Sequence, residues 1–216
     1  MTYKPAGINW PKAIQPLLEK YRDEKHPLSY RNHYQLLVMV LLSAQDSDKH
    51  INALAPALFE AFPDMPALAK ATQKTLLPYI ESVKWADKKL PWLLEIGKTL
   101  QTNRAIPMTL DGLTALPGIG RKSANVILRE AGKPAEGIIV DLHVLRVAPR
   151  LGIATGTDPK RIEAQLMKVL PQKQWDAGMA MSFLGREICR PSKPHCPQCL
   201  MRGVCKYYHE VIAPAS

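Results

Sequence analysis

The chain has 216 residues, 46% of them hydrophobic, and 29 Lys and Arg against 19 Asp and Glu give a net charge of +10. This length and apolar fraction allow one domain or two small lobes around a sizeable core, and exclude disordered and collagen-like chains. The positive balance suits a polyanion, nucleic acid or an anionic membrane surface, and suits equally well a charge that only keeps the protein in solution.

Along the chain the apolar spacing is helical almost throughout. Residues 11–21 carry Ile14, Leu17 and Leu18 on one face. Residues 34–45 are apolar all round, which predicts a buried central helix. Asp46 or Ser47 can cap a helix running through Phe59. Short helical pieces are expected at 65–71 and at 78–83, with Pro78 at a first helical position. Further helices are expected at 90–101, 109–115, 123–131, 142–151, 159–170 and 175–188. Only residues 137–140, Gly-Ile-Ile-Val, read as strand, and they are too few to make a sheet. The longest apolar run, Leu36–Leu42, falls far short of the roughly 20 residues a bilayer needs. The opening MTYKPAGINW lacks the apolar stretch of a signal peptide. A cytoplasmic protein with no membrane attachment is therefore expected.

Residues 116–123 read Leu-Pro-Gly-Ile-Gly-Arg-Lys-Ser between two helical patterns. Gly118 and Gly120 are expected to take backbone angles barred to other residues. Such a turn, opening directly into a helix, presents N–H groups that bind phosphate and lets a nucleic-acid backbone come close. A plain tight turn is the alternative. Lys122 falls in the first turn of the following helix. The positive helix end disfavours an ammonium there, so the amine can be nucleophilic, or it can simply contact phosphate. Asp141 closes the run Gly-Ile-Ile-Val-Asp ahead of another helix. It reads as an N-cap or as a carboxylate that stabilises a cation.

All four cysteines are clustered: Cys189, Cys196, Cys199 and Cys205, spaced C-x6-C-x2-C-x5-C. In a reducing compartment a tight set of thiols points to a metal site rather than to disulfides. Zinc and an iron–sulfur cluster both accept four thiolates. With one close pair and two long, unequal spacings, the pattern leans to the larger cubane without excluding zinc.

Taken together, LLSAQ at 41–45, LPGIGRKSANVIL at 116–128, VDLHVLRV at 140–147 and the four-cysteine tail resemble the endonuclease III family. These are bifunctional DNA glycosylases of the helix–hairpin–helix superfamily. The resemblance runs over about residues 25–206. It implies an all-α fold of two helical lobes flanking a DNA-binding groove. A six-helix barrel lobe with the helix–hairpin–helix would span 26–135, and an iron–sulfur cluster lobe 1–25 with 136–216. It implies a [4Fe–4S] cluster on the four cysteines. It gives Lys122 the attack on C1′ of a damaged nucleotide and Asp141 the support of base departure and of the sugar cation. A Schiff base and β-elimination follow. The implied substrate is double-stranded DNA containing oxidised pyrimidines such as thymine glycol, or abasic sites. A monomer associated with the nucleoid through its DNA binding is expected, with Gly118, Gly120, Arg121, His143, Arg190 and Lys193 at the DNA.

Three departures from the family pattern stand out. One extra residue separates Lys122 from Asp141, in the turn at 133–137. Leu142 stands where the family has a threonine beside the aspartate. Lys84 replaces a glycine ahead of the position, here Trp85, at which a bulky apolar residue wedges into the duplex while Gln45 fills the gap from the other side. A left-handed Lys84 would be strained. The alternative for Trp85 is burial in the barrel. Competing functions are a weakly active or non-catalytic damage-binding paralogue and an adenine-mismatch glycosylase, which lacks a lysine at the Lys122 position.

Overall fold

The structure is a computed structural model that describes residues 7–215. The reading of the extreme N-terminus as carrying no leader falls largely on the first six residues, which lie outside the described ones. The chain divides into two compact units, one of Lys25–Pro134 and one joining Met1–Glu24 to Ala135–Ser216. Twelve α-helices run through the described residues. They are α1 (Trp10–Ala13), α2 (Gln15–Lys20), α3 (His33–Ser43), α4 (Asp48–Ala61), α5 (Met65–Ala69) and α6 (Gln73–Ile80). Then follow α7 (Ala86–Leu100), α8 (Leu110–Thr114), α9 (Arg121–Glu130), α10 (Leu142–Leu151), α11 (Pro159–Val169) and α12 (Ala177–Glu187). The fold is all-α. Residues 137–140 form no strand. Among the described residues no helix is long and apolar enough to cross a membrane.

In the Lys25–Pro134 unit, α3 is the central element. Asn32 caps it by accepting from Gln35 N, and Tyr34 and every side chain from Leu36 to Leu42 are buried. A helix apolar all round has no solvent face, so α4, α7 and α9 all pack on it. Ser47 caps α4 through His50 N. Two helix starts differ from the sequence expectation by a turn or more. A helix is expected to start at Pro78, yet α6 begins at Gln73, because Thr72 and Thr75 form a reciprocal capping box that satisfies two end groups at once; Pro78 sits inside the helix. Likewise α7 begins at Ala86 rather than Leu90, with Trp85 as its N-cap and no side-chain cap bond.

In the other unit, α12 is the buried element, with Ala177–Gly185 wholly inside. It packs along α10 and against α2. Gly185 permits the close approach to α10, since a Cβ there would lie 2.8 Å from His143 Cβ. The expected helix over 11–21 is two short ones, α1 and α2, meeting at Ile14.

Candidate functional site

The hairpin lies between α8 and α9. Its turn is closed by Ile119 N donating to Leu116 O at 3.2 Å. Only one of its two glycines needs unusual backbone angles. Gly118 has φ +76°, and a Cβ there would stand 2.4 Å from the Trp92 ring, so the turn rests flat on an indole. Gly120 has φ −84°, an ordinary value, which corrects the expectation for that residue. What is particular to Gly120 is space: nothing lies within 4 Å of where its Cβ would be. As N-cap of α9 it also carries no side chain to cap the helix end. Arg121 and Lys122 occupy the first two positions of α9, both exposed, beside the positive end of the helix.

In the same unit, the loop after α3 meets the loop before α7. Trp85 Nε1 donates to Gln45 Oε1 at 3.2 Å. Trp85 is 46% exposed, which excludes burial in the barrel. Lys88 Nζ lies 4.7 Å from the centre of its ring. Both residues are left-handed, Gln45 at φ 59° and Trp85 at φ 63°. The strained position is therefore Trp85 and not Lys84, which has no positive φ.

Two charged groups support these loops. Asp46 Oδ2 accepts from Lys84 N at 2.8 Å, and its Oδ1 accepts from Ser47 N at 2.7 Å and meets His50 Nδ1 at 2.9 Å. Burial opposes the charge, but the Lys84 N–H, His50 and the Ser47 N–H outweigh it and hold Asp46 below its ordinary range. Lys89, only 2% exposed, donates from Nζ to Leu42 O and Ala44 O, both at 2.7 Å. Burial pulls its amine down, against the Asp46 charge. Sequence reasoning missed Asp46 except as a cap, and missed Lys89 altogether.

In the unit containing α10 and α12, Asp141 is the N-cap of α10. Its Oδ1 accepts from His143 N and Val144 N, both at 2.9 Å. Its Oδ2 accepts from Ser182 Oγ at 2.5 Å. The cap reading thus holds, and it leaves the second oxygen to a buried hydroxyl that sequence reasoning did not find. Leu142, next in the chain, is 80% exposed. His143 Nδ1 accepts from Arg146 Nη2 at 3.2 Å, and Arg146 also donates to Cys189 O and Gly185 O.

The four cysteines line one pocket, walled by Leu151, Leu184 and Ile188 and by Tyr207 and Tyr208. Cys196 and Cys205 are buried there, and Cys189 and Cys199 half-buried. Burial and the neighbouring thiols push the Cys196 thiol up, and burial first of all pushes up Cys199 and Cys205, the last to about 11. Arg150 organises the rim. It donates to Cys189 Sγ at 3.5 Å, Arg190 O at 2.7 Å and Pro191 O at 3.0 Å, and lies 4.5 Å from the centre of the Tyr207 ring. Arg190 and Lys193 are exposed on the loop it holds. Lys193 is left-handed at φ 51°.

The family pattern described as HhH-GPD superfamily base excision DNA repair protein matches residues 38–172. An endonuclease III from Synechocystis sp. is 36% identical over 82% of this chain and 83% of that protein. The endonuclease III of Escherichia coli K12 is 31% identical over 94% of this chain and 99% of its own length. A non-covalent endonuclease III–DNA complex superposes with a TM-score of 0.81 at 31% identity, covering 91% of this chain and 94% of that one. A trapped covalent endonuclease III–DNA intermediate gives the same TM-score at 30% identity.

Proposed function

Because this chain belongs to the HhH-GPD superfamily of base excision DNA repair proteins, and within it to the endonuclease III family, it is a DNA glycosylase with lyase activity, and we propose that it removes oxidised pyrimidines from duplex DNA and cuts the resulting abasic sites. In this reading it works as a monomer on nucleoid DNA. The observation that carries it is an exposed lysine at the second position of α9, behind a turn whose Gly120 leaves open space.

A stacked nucleotide hides its C1′, so the damaged one must swing out of the duplex. Amides at the start of α9, with Arg121, bind a flanking phosphate, and His143, Arg190 and Lys193 bind others. Lys122 Nζ attacks C1′, and the electron pair of the glycosidic bond leaves with the base, which takes up a proton. The Asp141 carboxylate offsets the positive charge that builds on the sugar. Opening of the sugar ring gives an imine to Lys122. Removal of a C2′ proton then expels the 3′ phosphate and cuts the strand. Gln45 and Trp85 fill the space the nucleotide vacates.

The cysteines fit a [4Fe–4S] cluster, since four thiols around one pocket are the donor set it takes. When bound, it supplies iron–thiolate bonds that fasten residues 189–205, while the excision chemistry stays with Lys122 and Asp141.

Incubation with a thymine-glycol duplex and borohydride is the test. The protein is expected to form a covalent adduct that Lys122→Gln abolishes, while that variant still binds DNA through the α9 amides. An adduct formed by Lys122→Gln at the normal rate would assign the nucleophile elsewhere.

A further inference from the structure

Gln45 and Trp85 hold backbone angles that ordinary side chains avoid, and such angles persist only where the surroundings impose them. One carboxylate gathers the groups that impose them. The side chain of Asp46 is only 11% exposed, and a charge so buried must be met by donors. Its donors come from both loops. Ser47 N and His50 Nδ1 belong to the chain just after Gln45, and Lys84 N belongs to the residue just before Trp85. His50 extends the bridge, because its Nε2 lies 3.1 Å from Ser82 Oγ on the second loop. From the opposite side Lys89 draws in Leu42 O and Ala44 O. The Trp85–Gln45 hydrogen bond closes the ring.

We infer that Asp46 is a positioning residue, which locks the loops at 44–47 and 82–86 together so that Gln45 and Trp85 reach DNA as a preformed pair. This rests on the reading that the pair enters the duplex. Preorganisation removes the ordering cost that two loose loops would meet on binding. The charged hydrogen bonds to Asp46 are the strong kind, and their geometry fixes both loops at once. The device matters only where there is a base stack to fill. Single-stranded DNA offers no gap, so chemistry there does not need the pair.

The test compares the whole protein with Asp46→Ala, Trp85→Ala and the double variant. Single-turnover cleavage is measured on an abasic-site duplex and on the same strand alone. Asp46→Ala is expected to lower the saturating rate on duplex by about ten-fold, the equivalent of about 1.4 kcal/mol, with half-saturation little changed. Its rate on the single strand should stay at the wild-type level, which also shows that the variant is folded. In the Trp85→Ala background, Asp46→Ala should cost much less than it does alone, since only its hold on Gln45 is left to lose. Equal losses on duplex and single strand would overturn the proposal, as would effects of the two substitutions that simply multiply. If Trp85→Ala alone leaves duplex cleavage unchanged, the reading beneath it fails as well, and the two failures are told apart.

Discussion

Each oxygen of the Asp141 carboxylate has its own partner, and the two serve different ends. Oδ1 caps α10, which makes the residue part of the fold, and Oδ2 is held by Ser182. Ser182 is fully buried. Ser182→Ala removes that donor and is expected to lower stability by roughly 1–2 kcal/mol, read from denaturant unfolding. It should also loosen the carboxylate. Base release from a thymine-glycol duplex is expected to slow several-fold, while cleavage at a ready-made abasic site changes less. Equal slowing of both reactions would show that Ser182 is merely structural. The cap was legible beforehand; the Ser182 contact was not. Asp141 announced itself at a helix start, but its partner sits 41 residues on in the chain, within the apolar stretch Met179–Leu184, where a serine carries no signal of its own. Arg150 was hidden in the same way, because a basic residue late in a helix reads as a solvated charge.

At the scale of elements, the hairpin offers two glycines with opposite expectations. Gly118→Ala places a methyl into the Trp92 ring and forces a left-handed alanine, so it should cost roughly 1–3 kcal/mol of stability. Gly120→Ala meets nothing and keeps an ordinary φ, so thermal unfolding should barely move while affinity for duplex DNA falls. Thermal melts paired with DNA titrations on both variants check this, and a reversed pattern would refute it. The helices themselves were largely legible from apolar spacing, with α10 matching at both ends. At α7 the failure came because the cap lacks a side-chain signal. Trp85 caps α7 by backbone geometry alone, so apolar spacing starts the helix only at Leu90 and leaves Lys89 outside it. At α6 the Thr72–Thr75 pair was outweighed by the more conspicuous Pro78.

For the molecule as a whole, the cysteine segment is where covalent help is needed. Residues 189–205 hold only brief 3-10 turns at Cys196–Gln198 and Arg202–Val204, too little regular structure to stand on its own. Removing iron is expected to unfasten it. Trypsin should then cut after Arg202 or Lys206, while the Lys25–Pro134 unit stays intact, as mass spectrometry of the fragments would show. Iron-free protein as resistant as the native form would refute the cluster assignment.

The unit that holds these cysteines is stitched from both ends of the sequence, and that sets an order of events during synthesis. Tyr21 donates to Glu187 Oε2 at 2.7 Å, across 166 positions, and Ile14 and Leu17 are fully buried in the finished unit. At roughly 5–20 residues per second, the first helices wait about ten to thirty seconds after leaving the ribosome before α12 exists. Meanwhile the Lys25–Pro134 stretch has emerged whole and can fold. A newborn chain therefore carries a finished hairpin lobe and a sticky, unpartnered leading end, and becomes able to excise bases only after its last quarter is made.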